Sequence, residues 1–567
     1  MRQFSPSFSR YITLFALSLA LQVGATETES AKQSFVRLSG HMPTQAMSSA
    51  TMVERLEGEK NIPLTFVLPL RNKAVLEELI RQIHDPSNEE HYGQYITPEE
   101  FVERFAPTQE DYDQVMGHAK NLGLTVTKTH ANRTLLNVEG SAKSIENGFE
   151  LSLHHYQKPD GRSFYAPDQE PKLPHSIASV IHCVVGLDNH AKWRTYNQRK
   201  QIVAKDDPSG YPSGPGGGYA PQDLLVAYNL TNVAEKGSGQ IVALLELGEY
   251  LDSDIAEYAS YFNLPAPQLK NVAVNGGSQD GIDVEVTLDI ELALALAPES
   301  QIYVYEGPNT DQGILNTYNQ IASDNLAKQI STSWGLGEAL VNQQQLQAEN
   351  AIFMQMAAQG QTVYAAAGDS GAYDAYKETH MRKLMVDDPA SQPYVIGVGG
   401  TRLIVDAMSG AYVSETVWND GLAQGAGGGG VSTIWPLPSW QTKVPTVYSK
   451  TNRNVPDVAL NADPETGYAV FYNGEWTTVG GTSCAAPIWA AFNACVNQAR
   501  VAQSKAVLGF ANPLFYTIGL GTSYNTDFHD IKMGNNLHYP SKQGYDNASG
   551  WGSFNGANLF SDLTTAQ

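Results

Sequence analysis

The stretch Thr362-Val-Tyr-Ala-Ala-Ala-Gly-Asp369-Ser-Gly371 decides the fold. Thr362 to Ala366 is a short, continuous, apolar run, as a strand covered on both faces must be. Gly368 and Gly371 break it and leave Asp369 in a turn at the carboxyl end of the strand. Four more such runs lie around it: Ile241-Val-Ala-Leu-Leu245, Gln301-Ile-Tyr-Val-Tyr305, Gln329-Ile-Ser-Thr-Ser333 and Tyr394-Val-Ile-Gly-Val398. Helical stretches separate them. That alternation predicts an α/β domain, a parallel sheet flanked by helices. Sites in such sheets form beyond the carboxyl ends of the strands, so Asp369 is a candidate site residue. A turn aspartate with no chemical role is also common there.

Upstream the grammar differs. Thr97-Pro98-Glu99-Glu100 is a capping box with proline at the first helical position, opening a helix through Phe101, Val102 and Phe105. A second helix follows Pro107-Thr108 and ends at Gly123. Leu124–Val126 and Leu135–Val138 read as strands. These elements predict a small α+β unit over 33–192. Residues 193–218 include the breaker-rich run Asp206-Asp-Pro-Ser-Gly-Tyr-Pro-Ser-Gly-Pro-Gly-Gly-Gly218, a linker and a natural place for proteolytic processing. The α/β domain then occupies 219–567.

The chain has 567 residues, 36 basic and 59 acidic, a net charge of −23. That balance argues against nucleic-acid binding, which needs clustered Lys and Arg. It suits a protein that works in acid, where carboxylates lose charge, and equally an ordinary soluble surface. A basic start, the apolar run Tyr11–Val23 and the small residues ending at Ala25 form an expected signal peptide, 1–25, followed by an exported, extracellular or periplasmic protein with no membrane span. The three cysteines, Cys183, Cys484 and Cys495, make no disulfide framework and are expected to be free and buried.

Three places carry chemistry. Gly480-Gly-Thr-Ser483 precedes an apolar helix, so Ser483 sits where free N–H groups could meet a developing oxyanion. Taken alone, the tetrapeptide fits an ordinary helix N-cap better. A nucleophilic serine needs a base. Only His380, His529 and His538 lie beyond the linker, none in a catalytic-looking context. Carboxylates are better placed, in Gly281-Ile-Asp-Val-Glu285-Val-Thr-Leu-Asp289. In a helix Glu285 and Asp289 touch; in a strand they stand about 13 Å apart. Apolar alternation from Ile282 to Leu296 favours the strand, and the Ala/Leu-rich continuation favours the helix.

Taken together these motifs resemble the sedolisin family, the serine-carboxyl peptidases, and especially its kumamolisin-like members. The similarity spans nearly the whole chain after the signal segment. It includes Arg104-Phe-Ala-Pro, Asn132-Arg133 and Val185-Gly-Leu-Asp188 upstream, then Glu285-x-x-x-Asp289, Ser333-Trp-Gly335, Ala367–Gly371, Val455–Asp463 and Gly481-Thr-Ser483 in the family's order. The resemblance implies a subtilisin-like catalytic domain behind a ferredoxin-like activation pro-domain. It implies a serine-type endopeptidase made as a zymogen, with Ser483 as nucleophile, Glu285 as general base, Asp289 orienting it and Asp369 as oxyanion donor. Glu246 and Trp334 match positions that extend the network. Trp334 could equally be core packing.

The resemblance further implies one structural calcium ion, held by the carboxylates of Asp530 and Asp546 and the carbonyls of Ile531, Lys542 and Gly544. Lys542 stands where the family more often has glycine, so its ammonium must point away from the ion. Gly427–Gly430 is not a phosphate loop and is expected to edge the substrate cleft. The implied partners are peptide or protein substrates and the chain's own pro-domain as an intramolecular inhibitor, in a monomer. Two rival readings stand beside this: an inert exported binding protein on the same scaffold, and a subtilisin-like, histidine-dependent peptidase.

Overall fold

The computed structural model describes residues 34–200 and 210–566. The expected signal segment 1–25 and part of the expected linker, 201–209, lie outside the described residues.

The apolar runs form strands of one eight-stranded sheet. Its members are β1 Ile241–Glu246, β2 Gln268–Ala273, β3 Gln301–Glu306, β4 Gln329–Thr332, β5 Thr362–Ala366, β6 Ile396–Val405, β7 Tyr412–Val417 and β8 Val458–Asn461. Their order is β2-β3-β1-β4-β5-β6-β7, with β8 also on β6. Every pairing is parallel except β6 with β7. Leu244 lies opposite Val304 and Ser331, and Ser331 opposite Tyr364. This register brings the carboxyl ends of β1, β4 and β5 to one edge, with Glu246, Ser333 and Asp369 close behind them.

Both faces are covered, which is why the strands read as unbroken apolar runs. Val242 and Leu244 join the apolar cluster that holds helices Val284–Leu296 and Thr482–Ala502. Ala243 and Leu245 join the cluster that holds Asp311–Asp324 and Gln343–Ala358. The ambiguous stretch at 284 is a helix, and the alternating pattern there misleads for a physical reason. All 13 of its residues are buried, so no polar face marks the helical period. Cys484 and Cys495 share the long helix, and all three cysteines are free and buried.

The upstream unit has a four-stranded antiparallel sheet of Asn61–Val67, Thr125–Thr129, Leu135–Ser141 and Cys183–Val185. Numbered in chain order, the strands lie 4-1-3-2, the ferredoxin-like arrangement. The Thr97–Glu100 capping box is formed in both directions, and Thr108 caps the next helix through Asp111 N–H. This unit is docked firmly on the α/β domain. Leu76, Ile80, Phe101 and Phe105 enter the first apolar cluster, and Val67, Leu135 and Cys183 the second. Asn132 Nδ2 donates to Asn319 Oδ1 at 2.7 Å and to Gln355 Oε1 at 2.9 Å across the junction.

The glycine run 427–430 is buried and packed close to the turn that carries Asp369. A Cβ on Gly428 would stand 1.8 Å from the Ala367 carbonyl oxygen, and one on Gly427 would stand 2.8 Å from that of Gly400. These glycines are buried so that backbone can pack on backbone behind Asp369.

Candidate active site

Ser483 is the second residue of the Thr482–Ala502 helix. Gly481 precedes it with φ +118°; a Cβ there would meet the Tyr196 carbonyl oxygen at 2.0 Å and Asp369 Oδ2 at 2.8 Å. Pro487 lies inside the helix. It lacks the N–H that would bind the Ser483 carbonyl, and that carbonyl faces Ser333 Oγ at 3.4 Å instead.

The carboxyls gather around this helix start. Asp283 caps the 284–296 helix through Glu285 N–H, placing Glu285 in its first turn. Asp289 follows one turn later and accepts from Ser333 Oγ at 2.9 Å. Glu246, at the end of β1, accepts from Trp334 Nε1 at 2.9 Å. Glu246 and Asp289 each perturb the other by hydrogen bonding. Asp369 Oδ1 accepts both the N–H and the hydroxyl of Thr482 at 2.9 Å, while Oδ2 has no hydrogen bond. The structure therefore brings Ser483, Glu285, Asp289, Asp369, Glu246 and Trp334 to one place.

Burial dominates the electrostatics. It pushes Glu285 and Asp289 well above the usual carboxylate range and Glu246 up to about 8. Bonds from Asn197 and Ser483 pull Glu285 back down. Burial also pushes Asp369 up to about 6, against Lys377 and the Thr482 bonds. Among the described residues, no histidine bonds Ser483 or any of these carboxyls. His529 is stacked on Tyr412 with ring centroids 3.8 Å apart, and burial pushes it down to about 4.

Sequence reasoning missed the strand that crosses the site. Arg194–Thr195 pairs antiparallel with Trp334–Gly335, and Gln198–Lys200 with Thr478–Gly480. Between them Tyr196 N–H donates to Ser483 Oγ at 3.1 Å, and Ser483 N–H donates to the Tyr196 carbonyl at 3.1 Å. Asn197 Nδ2 donates to Glu285 Oε2 at 2.5 Å; Oε1 has no hydrogen bond. The Tyr196 hydroxyl donates to Asp387. A peptide carbonyl thus rests on an N–H beside a hydroxyl, with a carboxylate oxygen open nearby. That arrangement suits acyl transfer. No sequence motif marks this segment, because its place depends on where the upstream unit docks.

In the C-terminal loop, Asp530 and Asp546 are tied to one turn. Gly544 N–H donates to Asp530 Oδ1 at 3.1 Å, and Lys542 N–H to Asp546 Oδ2 at 2.9 Å. Asp530 Oδ2 has no hydrogen bond, only an ion pair with Lys532 at 3.2 Å. Burial pushes Asp546 up to about 6. Lys542 Nζ is turned onto the Thr446 carbonyl at 2.6 Å, away from both carboxylates. Asp530 Oδ1 also accepts from the Tyr524 hydroxyl, and Asp546 Oδ1 accepts from Ala548 N–H and from the N–H and hydroxyl of Ser549, so Asp530 Oδ2 is the carboxylate oxygen left for a hard cation. Among the described residues no three His, Cys, Asp or Glu side chains gather at one point, so backbone carbonyls would supply the other ligands.

Fold and site together define a serine peptidase carrying an N-terminal activation unit. Residues 48–190 match the pro-kumamolisin activation domain, and 272–509 the subtilase family. The chain is 35% identical to kumamolisin from Bacillus sp. (strain MN-32), over 93% of this chain and 96% of that one. It is 26% identical to human tripeptidyl-peptidase 1, over 88% and 91% respectively. The structure of Pseudomonas sedolisin, a serine-carboxyl proteinase in complex with pseudo-iodotyrostatin, superposes with a TM-score of 0.56 at 31% identity, covering 61% of this chain and 98% of that one. The chain belongs to the sedolisin family of serine-carboxyl peptidases, beside its kumamolisin-like members.

Proposed function

We propose that the protein is the zymogen of an exported peptidase that cuts peptide bonds in acid, using carboxyl groups in place of an imidazole. One observation carries this reading: the Tyr196–Asn197 peptide rests on Ser483, Asn197 Nδ2 donates to Glu285 Oε2, and Glu285 Oε1 has no hydrogen bond. Ser483 Oγ attacks the carbonyl carbon as its proton passes to Glu285. The oxyanion forms where the Tyr196 carbonyl oxygen lies, facing Ser483 N–H and the Asp369 carboxyl. Glu285 returns the proton to the leaving amine of Asn197, and water then hydrolyses the Ser483 ester by the same route.

Burial favours the neutral form of every carboxyl here, and hydrogen bonds oppose it at Glu285. Asp369 donates only when neutral. With its pKa about 6, it holds its proton in acid. Glu246, Glu285 and Asp289 are too close together to be charged at once, and titrate as a group. Burial raises all three, so the group carries little charge in acid; in this reading the charge it does carry is assigned to Glu285, where bonds from Asn197 and Ser483 and the helix N-terminus favour it. Asp289 orients Glu285 from one turn below, and Ser333, Glu246 and Trp334 hold Asp289.

In this reading residues 33–192 inhibit by laying 194–200 across the cleft, and the enzyme cuts itself first at Tyr196–Asn197. A calcium ion on Asp530, Asp546 and the carbonyls of Ile531, Lys542 and Gly544 would neutralise the two carboxylates and tie down the C-terminal loop. No helix among the described residues is long and apolar enough to cross a membrane. Shifting the purified zymogen to pH 4 tests the reading. The wild type should shorten to a product beginning at Asn197, while Ser483→Ala stays full length. Shortening of Ser483→Ala at the wild-type rate would refute it.

A further inference from the structure

The segment in the cleft also presents side chains to the site. Arg194 lies two residues before Tyr196, and its guanidinium sits between two acids. Nη2 is 2.9 Å from Asp374 Oδ2 and donates to the Asp374 carbonyl at 2.5 Å; Nη1 is 2.9 Å from Glu378 Oε1. The guanidinium also lies 5.0 Å from the centre of the Tyr196 ring. The Asp374 side chain is 1% exposed and neither of its oxygens makes a hydrogen bond, so the Arg194 contact with its carboxylate is an ion pair.

The pocket is built around these acids. Gly368 has φ +105°, and a Cβ on it would stand 2.3 Å from Asp374 Oδ1; one on Gly337 would stand 3.3 Å from Oδ2. Neither acid belongs to the proton relay. A buried carboxylate is costly unless paired, and Arg194 supplies the larger part of the pairing, with Lys377 adding to it. Once the segment leaves, the pocket keeps both acids and lacks the arginine.

The chain also continues past this point. The Asn309 side chain accepts Trp193 N–H and donates to the Trp193 carbonyl, both at 3.0 Å. The cleft therefore holds backbone beyond the third residue, which a site closed around a free N-terminus would not.

Resting on the reading above, we infer that Asp374 and Glu378 form a subsite selecting arginine at the third residue before the cut, in the interior of peptide chains. The substrate class is thus proteins and peptides carrying Arg-Xaa-Tyr-type segments, cut after the aromatic residue.

Mature enzyme, assayed at pH 5 on N-acetylated quenched peptides that differ only in Arg or Ala at the third position, tests this. The arginine peptide should be favoured in kcat/KM by about ten- to a hundredfold, the range of a desolvated charge-assisted pair. In Asp374→Asn/Glu378→Gln the ratio should fall to within about threefold of one. That ratio is internal to each variant, so altered folding does not mimic it. Equal rates in the wild type would overturn the inference while leaving the peptidase chemistry intact. Cleavage of free-amine peptides alone would overturn its endopeptidase part. Cleavage of no peptide at all would overturn the proposed function and the subsite with it.

Discussion

Asp369 offers the sharpest single perturbation. Its Oδ1 is fixed by two donors from Thr482, and its Oδ2 stands open beside Gly481. In Asp369→Asn, the amide oxygen can keep the Thr482 bonds while the NH2 points where Oδ2 stood. The variant keeps a donor, but one that does not titrate. In Asp369→Ala the donor and its anchor both go. Removing one oxyanion donor costs roughly 2.7–4 kcal/mol, about 10²–10³ in kcat. The wild type should lose activity as pH rises through about 6, since the neutral carboxyl becomes a carboxylate that repels the oxyanion. With matured enzyme and a quenched peptide from pH 3 to 8, Asp369→Ala should lose kcat with little change in KM. Asp369→Asn should be slower in acid yet lack the fall near pH 6. If Asp369→Asn keeps the wild-type fall, some other group sets the acid requirement and the assignment of the oxyanion donor is wrong.

Other expectations follow from the same geometry. Gly481→Ala places a Cβ against the Tyr196 carbonyl at a backbone angle unfavourable to alanine, so self-cleavage at pH 4, read by gel, should stop. His84, at the junction of the two units, accepts Phe510 N–H on Nε2 at 2.9 Å and faces the Ile80 carbonyl through Nδ1. Burial pushes it down to about 4, so the stability it gives is present above its free value of about 6.5 and is lost as pH falls toward 4. At pH 5 that loss is about 2 kcal/mol; His84→Gln, which keeps an acceptor without titrating, should slow acid activation severalfold. Chelating calcium from the wild type should lower Tm by several degrees, and Asp530→Asn/Asp546→Asn should show a low Tm that chelator does not change.

Much of the catalytic domain is legible in the sequence because its strands are buried on both faces, and such strands advertise themselves as apolar runs. Ser483 and Asp369 could be placed because each follows glycines at the end of an element. The Glu285–Asp289 pair could not be settled from residues alone. Its helix is buried all round, and the signal that separates helix from strand is the polar face that this helix lacks. At residues 427–430 the glycines allow close backbone packing around Ala367 and Gly400, a requirement that local sequence does not announce. The crossing segment was illegible for a third reason. Tyr196 and Asn197 reach Ser483 and Glu285 only because two separate units dock through Phe101, Phe105 and Asn132. Local sequence carries no record of that geometry.

The central claim is that a carboxylate takes the proton from the attacking hydroxyl. The most direct measurement is the pre-steady-state acylation rate of Glu285→Gln at pH 4, with the pro-domain removed in trans so that maturation is not limiting. A general base accounts for about 10²–10⁴ in rate, and a loss of that size is the result expected. Acylation within about threefold of the wild type would mean that another group receives the proton.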